Sequence, residues 1–289
     1  MEKKPAENKF LRALKEIGIL LLIVFLFNSF VLASFEVPTG SMENTVMTGD
    51  FLLVNKFTLG GRTLEVIPYT GIHLPHLRVP GFRDVRRGDI IVFEFPGLRD
   101  ERQSKEFTYY LKRCVALAGD TIQIINKVLY VNGVRAPLPK YVKFLRSTPM
   151  PAGRPDPEIF PVGSPFNADN FGPLRVPKKG DVIALSRDDI KRWHTFIERE
   201  GHDVRVDGNT ILIDGQPKSE YVVERDYLFG MGDNRDDSLD SRYWGFVPRT
   251  SVVGTPLIVY WSWDPDTPIY RIFDKLASIR LGRIGRLIE

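Results

Sequence analysis

The stretch "FTYYLKRCVALAGD", residues 107–120, decides how the rest of the chain is read. It is rich in aromatic, apolar and β-favouring residues and closes on a Gly-Asp turn, so it predicts a strand. At a period of two, Tyr110, Lys112, Cys114 and Ala116 share one face, and Leu111, Arg113 and Val115 the other. Lys112 therefore keeps aromatic, thiol and methyl company. Loss of water there disfavours the ammonium and lowers its pKa; a fall from about 10.4 to about 7 corresponds to roughly 4–5 kcal/mol. A neutral amine can take a proton from an alcohol. The plainer reading of the same residue is a strand lysine that snorkels to solvent.

An alcohol that could use such a base lies in "EVPTGSMENTVMTGD", residues 36–50, where Ser41 stands between Gly40 and Met42. The chain has four histidines, His73, His76, His194 and His202, and none is close to Ser41 in sequence. Just before it runs "IGILLLIVFLFNSFVLASF", residues 17–35, without a charge. As a helix this would span roughly 28 Å, about a bilayer core. Lys3, Lys4, Lys9, Arg12 and Lys15 precede it, which places the N-terminus in the cytoplasm and the remainder outside. Val31-Leu32-Ala33 also suits a cleaved secretory signal, and a buried core helix is a third reading. An anchored Ser41 would work within about 20 Å of the membrane face.

The 289 residues, 43% hydrophobic and 26% charged, suffice for a globular domain with an insert. The net charge of +4 is uneven. Residues 1–16 carry +2; residues 269–289, with Arg271, Lys275, Arg280, Arg283 and Arg286 against Asp274 and Glu289, carry +3; the middle carries −1. Basic ends point to a lipid bilayer and not to nucleic acid. Cys114 is alone, so no intramolecular disulfide is possible. Neither GxGxxG nor GxxxxGK[ST] occurs. The acidic turn at residues 236–247 fails as a calcium loop, and no Cys/His cluster offers a zinc site. No metal or cofactor is expected. The S-x-x-K pattern fails too, because Asn44 holds the lysine position.

Further strands are predicted from "DFLLVNKF" (50–57), "GDIIVFEF" (88–95), "KVLYVNGVRA" (127–136, with an Asn132-Gly133 turn) and "TPLIVYWSW" (255–263). Residues 59–82 are rich in Gly and Pro and read as a long loop or hairpin; residues 146–180 hold eight prolines. "RRGDIIVF" is echoed by "KKGDVIAL" and "VLYVNGV" by "TILIDGQ", which reads either as a β-rich insert built like part of the core or as two similar hairpins arising by chance, and residues 188–200 predict a helix. In the tail, Ile269, Ile272, Phe273, Leu276 and Ile279 predict a basic amphipathic helix, packed on its own domain or on lipid. The expected fold is mainly β: a β-barrel-like extracytoplasmic catalytic core, a β-rich insert and one N-terminal transmembrane helix. The expected boundaries are a basic N-terminus at 1–16, an anchor at 17–35, a core at 36–139 and 226–264, an insert at 140–225 and the tail at 265–289.

"PTGSM" (38–42), the "FLLV" run, "RRGDIIVF", "YYLKR" followed by "GD", and "GDNRDDSLDSRYWGFVP" (232–248) together resemble bacterial type I signal peptidase in order and spacing. The resemblance covers most of the chain outside residues 59–82 and the proline-rich insert. It implies a membrane-anchored serine endopeptidase, single-pass in the cytoplasmic membrane, that removes signal peptides from exported preproteins after Ala-x-Ala type sites. Position by position it makes Ser41 the nucleophile and Lys112 the general base. The Ser41 N–H and the Thr39 hydroxyl would form the oxyanion hole, with threonine where the family usually has serine. Ser238 would hydrogen-bond the Lys112 amine, and Asp240 and Arg242 would pair to hold that turn. Phe35, Val37, Met42, Tyr110 and Leu111 match positions lining the substrate pockets. The chain departs from the best-known Gram-negative member in showing one membrane segment and not two. Serine–lysine dyads are an accepted variant of triad chemistry.

Two other readings remain at this level. A self-cleaving repressor-type Ser–Lys peptidase would need a DNA-binding domain and a soluble N-terminus, against residues 17–35. A non-catalytic anchored β-domain would leave Ser41 and Lys112 incidental. The chain's own Val31-Leu32-Ala33 also resembles a substrate, so cleavage after Ala33 between copies is an expectation.

Overall fold

The computed structural model describes residues 9–61 and 77–289. A helix, α1 (Lys9–Phe30), leads into β1 (Leu32–Glu36) and β2 (Asp50–Asn55). Then come β3 (Ile90–Glu94), β4 (Tyr109–Ala116), the hairpin β5 (Thr121–Ile125) and β6 (Val128–Val131), and β7 (Val134–Arg135). A long excursion holds β8 (Phe171–Arg175), β9 (Val182–Ala184), α2 (Ile190–Arg199), β10 (Val204–Asp207), β11 (Thr210–Ile213), β12 (Gln216–Pro217) and β13 (Glu220–Val222). The chain returns through β14 (Tyr227–Met231), α3 (Ser241–Trp244), β15 (Val247–Pro248), β16 (Val252–Ser262) and α4 (Ile272–Ala277).

The main sheet has seven strands in the order β1-β2-β16-β3-β4-β14-β15, every neighbouring pair antiparallel. It curls into a half-barrel and leaves β1 at an open edge. The bend follows from β16, the longest strand, whose register shifts twice against β2 and once against β3. Each shift adds local twist. Smaller sheets, β7-β6-β5-β8, β10-β11-β12 and β9-β13, form beside it. The protein is mainly β.

β4 is covered on both faces. Tyr110 and Cys114 pack with Ile91, Phe93 and Trp244; Tyr109 and Leu111 pack with Val37, Met42, Leu52 and Val92. Ala116 leaves the Tyr110 face and joins Val115 in the core shared with β5, β6 and α2, because β4 runs on past the edge of the first two clusters. Arg113 is as buried as Lys112, where an exposed counter-face would have been ordinary.

The apolar N-terminal segment differs from expectation. Its helix stops at Phe30, and residues 32–36 pair with β2 from Leu32↔Asn55 to Glu36↔Phe51. Backbone pairing with a neighbouring strand outweighs hydropathy that suits either element. The uncharged helical part, residues 17–30, is then about 21 Å long, and among the described residues no helix is long and apolar enough to cross a membrane. Side chains all round α1 are exposed, including Ile17, Leu20, Leu21, Ile23 and Phe27.

The tail differs as well. Helix survives only in α4, and the following residues run back along the sheet with a bridge between Ile258 and Leu287. Its cations explain this. Arg283 grips the buried Asp50 (Nε to Oδ1 2.8 Å), while Arg280 and Arg286 donate to the carbonyls of Thr48 and Asn44. Residues 62–76, most of the expected loop, and residues 1–8 of the basic N-terminus lie outside the described residues.

Candidate active site

Ser41 sits in a single 3-10 turn, Gly40–Met42, directly after Thr39 in extended backbone. Polar contacts from a distant turn hold it there. The Asn234 backbone N–H donates to the Ser41 carbonyl at 3.1 Å, and the Asn234 side-chain amide donates to the Gly40 carbonyl at 3.1 Å. Next to it, Asp233 accepts from Thr45 Oγ1 at 2.6 Å and takes two bonds from Arg113, at 2.9 and 2.7 Å. The residue opposite Lys112 in the strand alternation thus anchors the serine turn.

Lys112 reaches the same point from β4. Its Nζ donates to Ser41 Oγ at 2.7 Å and to the Leu111 carbonyl at 3.1 Å, and lies 5.3 Å from the Tyr110 ring centre. The lysine is 3% exposed. Burial pushes its pKa from 10.5 down to about 8; Asp240 and Asp233 pull it up again, and Arg242 adds to the fall. Those two carboxylates oppose the effect of burial.

Two bare backbones make room for this pair. A Cβ on Gly230 would lie 3.2 Å from the Lys112 Cβ. One on Gly232 would lie 2.1 Å from Ser238 Oγ and 2.5 Å from the Ser41 carbonyl oxygen. Ser238 is therefore next to the serine turn and buried, but the hydrogen bond expected from Lys112 to Ser238 is replaced by the one to Leu111, and Ser238 Oγ has no partner among the described residues.

Asp240 and Arg242 do meet. Arg242 donates from Nε and Nη2 to the carboxylate at 2.9 and 2.8 Å, and both groups are fully buried. Burial alone would raise the Asp240 pKa, yet the charge and hydrogen bonds of Arg242 hold it below the usual carboxylate range. Asp240 also caps α3 and accepts the Gly232 N–H at 3.0 Å. Arg242 bonds on to the carbonyls of Arg235 and Ala168. The pair thereby fixes the backbone on which Asp233, Asn234 and Ser238 ride.

A cleft of about 430 Å³ opens over Ser41 and Lys112. Phe35, Val37, Met42, Tyr110 and Leu111 all line it, and so does the exposed Thr39. Phe35 meets Tyr109 edge-on at 5.1 Å, closing the gap between the edge strand β1 and β4. Leu52, Val92, Tyr109 and Leu239 complete the apolar wall and escape a reading of motifs alone. Leu52 is signalled by its alternating place in β2, and Asp233 and Asn234 by the "GDN" that opens the polar turn. Among the described residues no group of three or more His, Cys, Asp or Glu side chains is placed to hold a metal ion. Cys114 is buried, and burial holds its thiol far above its ordinary pKa.

A family model described as "Signal peptidase, peptidase S26" matches residues 10–261. The chain belongs to this family. It is a serine endopeptidase of the type I signal peptidase class. The relatives include a signal peptidase I of Buchnera aphidicola subsp. Schizaphis graminum, 30% identical over 99% of this chain and 85% of that protein. Another, from Pseudomonas aeruginosa, is 29% identical over 96% of this chain and 82% of its own length. A third, from Aquifex aeolicus, is 27% identical over 94% and 96%. A crystal structure of a signal peptidase I from Enterococcus faecalis V583 matches at 21% identity with a TM-score of 0.26, covering 60% of this chain and 97% of that one.

Proposed function

We propose that the chain cleaves N-terminal signal peptides from exported preproteins after a small residue, with Ser41 as nucleophile and Lys112 as general base. The observation that carries this reading is the 2.7 Å contact between Lys112 Nζ and Ser41 Oγ inside an apolar cleft. In the neutral lysine the same contact runs the other way, the hydroxyl donating to the amine. As Ser41 Oγ attacks the scissile carbonyl, Lys112 takes the proton, and the Ser41 N–H and the Thr39 hydroxyl receive the oxyanion. Collapse returns that proton to the leaving amine and leaves an acyl-serine. Water, deprotonated by the same lysine, then releases the acid. Charged Lys112 has a third N–H to place, and the buried, unpartnered Ser238 Oγ, which lies against the serine turn, is the acceptor we assign once the lysine is protonated. Phe35, Val37, Met42, Tyr110 and Leu111 would accept small side chains one and three residues before the cut.

The substrate end of this reading meets the membrane through α1. The stretch of α1 from Ile17 to Phe27 is apolar on every side and has no water-soluble resting place, and the stems of Arg12 and Lys15 can snorkel from the preceding turns to the headgroups. The cations ahead of residue 17 favour an inside N-terminus and a catalytic domain on the outer side of the cytoplasmic membrane. The lipid bilayer and signal-peptide-bearing preproteins are thus the proposed partners. Extraction of the full chain from membranes by alkaline carbonate would remove the anchor from the proposal.

The function is tested by incubating the full chain, in neutral detergent, with a preprotein carrying one Ala-x-Ala site and weighing the products. Cleavage on the C-terminal side of the second alanine, absent with Ser41→Ala, is expected. Cleavage elsewhere, or cleavage by Ser41→Ala, sinks the assignment.

A further inference from the structure

Arg113 and Val115, the side chains of β4 that alternate away from Lys112, line a second cavity of about 390 Å³. Its size falls in the range of small-molecule sites, about 300–1,000 Å³. Leu129 and Val131 of β6 add apolar wall, and the exposed Val134 and Leu138 stand at its mouth. Four arginines line it, Arg87, Arg113, Arg135 and Arg235, and no acidic side chain does.

The four are not equivalent. Arg87 is bound to Asp120 and Arg113 to Asp233, while Arg135 is exposed. Arg235 is 4% exposed, and its guanidinium has neither hydrogen bond nor ion pair among the described residues. Its backbone is pinned: the N–H donates to the Lys143 carbonyl, and its own carbonyl accepts from Arg242. The carboxylates closest in charge to it, Asp233 and Asp240, already serve Arg113 and Arg242. Burial pushes the Arg235 pKa down to about 10, with the charge of Arg242 adding to the fall, so the group stays charged at neutral pH. A largely buried charge without a partner is costly enough that folded proteins usually pair it. Here the surroundings leave that partner to come from outside.

We propose that this cavity binds an anionic amphiphile, with a carboxylate or phosphate head on Arg235 and a short apolar chain along Val115, Leu129 and Val131. The guanidinium fork suits either head, since both accept two parallel N–H bonds. Arg135 supplies a second positive charge at the mouth, and Val134 and Leu138 give the chain an apolar exit. The site is separate from the Ser41 cleft, and its occupancy does not depend on the reaction proposed there.

The test uses the full chain in neutral detergent with an alkyl phosphate bearing a photoreactive diazirine, and maps the cross-linked residues by peptide mass spectrometry. Label is expected on residues 129–138. It should be competed by octyl phosphate or octanoate, and not by octyl glucoside or inorganic phosphate at equal concentration; competition by one acid and not the other fixes the head chemistry. Arg235→Met should cut labelling about tenfold or more. Should Arg235→Met not fold, Leu138→Glu and Val134→Glu, both on exposed side chains, place a like charge at the mouth and should produce the same loss. The proposal is overturned by label confined to other segments such as α1. Competition by octyl glucoside equal to that by octyl phosphate overturns it too, as does wild-type labelling of the folded variants.

Discussion

Arg113 holds Asp233 with two hydrogen bonds, at 2.9 and 2.7 Å, although the two are buried and stand on different strands and turns. Thr45 also donates to Asp233, and Asn234, the next residue, donates to the Ser41 carbonyl. The pair therefore ties β4, which carries Lys112, to the turn that carries Ser41. Arg113→Met would leave Asp233 charged and uncompensated, a loss of about 3–5 kcal/mol. Adding Asp233→Leu should restore part of it by removing both charges. Thermal melts of the single and double variants check this; a double variant no more stable than the single one would refute the assignment of the loss to an orphaned charge.

Gly232 offers a purely geometric test. Its missing Cβ would overlap Ser238 Oγ and the Ser41 carbonyl oxygen at once. Gly232→Ala must push the serine turn off its place, and a displacement of about 1 Å near the chemistry can cost about a hundredfold in rate. Turnover should fall by that order while circular dichroism stays native. Unchanged turnover would mean that the turn yields freely.

Thr39 is exposed and follows the strand that precedes the serine turn, and its hydroxyl makes no hydrogen bond among the described residues. If it receives the oxyanion, Thr39→Ala should lose about 10²–10³ in kcat with KM and melting temperature little changed. Thr39→Ser should keep most of the rate. Equal rates for Ala and Ser at this position would take Thr39 out of the mechanism.

Burial of Lys112 bears on stability as well as rate. Its folded pKa, about 8, lies below the ordinary 10.5. Between those values the unfolded chain binds more protons than the folded one, so stability from this group rises with pH across about 8 to 10.5 and is missing below it. The deficit at pH 7 is about 3 kcal/mol. Lys112→Met, apolar and of similar length, should therefore be inactive yet more stable than wild type at pH 7, with the gap closing as pH approaches 10.5. A gap independent of pH would contradict the buried-charge account.

The tail makes a similar prediction at a distance. Asp50 is fully buried and held by Arg283. Arg283→Ala should lower stability by about 3–5 kcal/mol and speed hydrogen exchange in residues 44–50, where Arg280 and Arg286 also bind. Exchange at wild-type rates there would show that the tail does not hold the serine loop.

Much of this site could be read in the sequence because its parts are local. The alternation in β4 put Lys112 among apolar neighbours, and the polar turn that contains Asp240 and Arg242 is continuous in the chain. That Lys112 faces Ser41 is a contact across a sequence separation of 71 residues, and only family resemblance connected them. The end of α1 was hidden because residues 31–35 are as apolar in a strand as in a helix; pairing with β2 decides between them. The tail misled for a related reason: helical spacing of Ile272, Phe273 and Leu276 is real, but carbonyl acceptors in the turns between Ser41 and β2 capture the arginines beyond it. The lone charge of Arg235 was invisible, since nothing in "DNRDD" says which arginine lacks a carboxylate.

The most direct test of the central claim is the pH dependence of kcat/KM for preprotein cleavage, in wild type and Lys112→Met. The account predicts a rate that rises through pH about 8, following the fraction of neutral Lys112, and no cleavage by the folded variant at any pH. A wild-type rate that is flat from pH 6 to 10, or cleavage by Lys112→Met at wild-type rate, would contradict it.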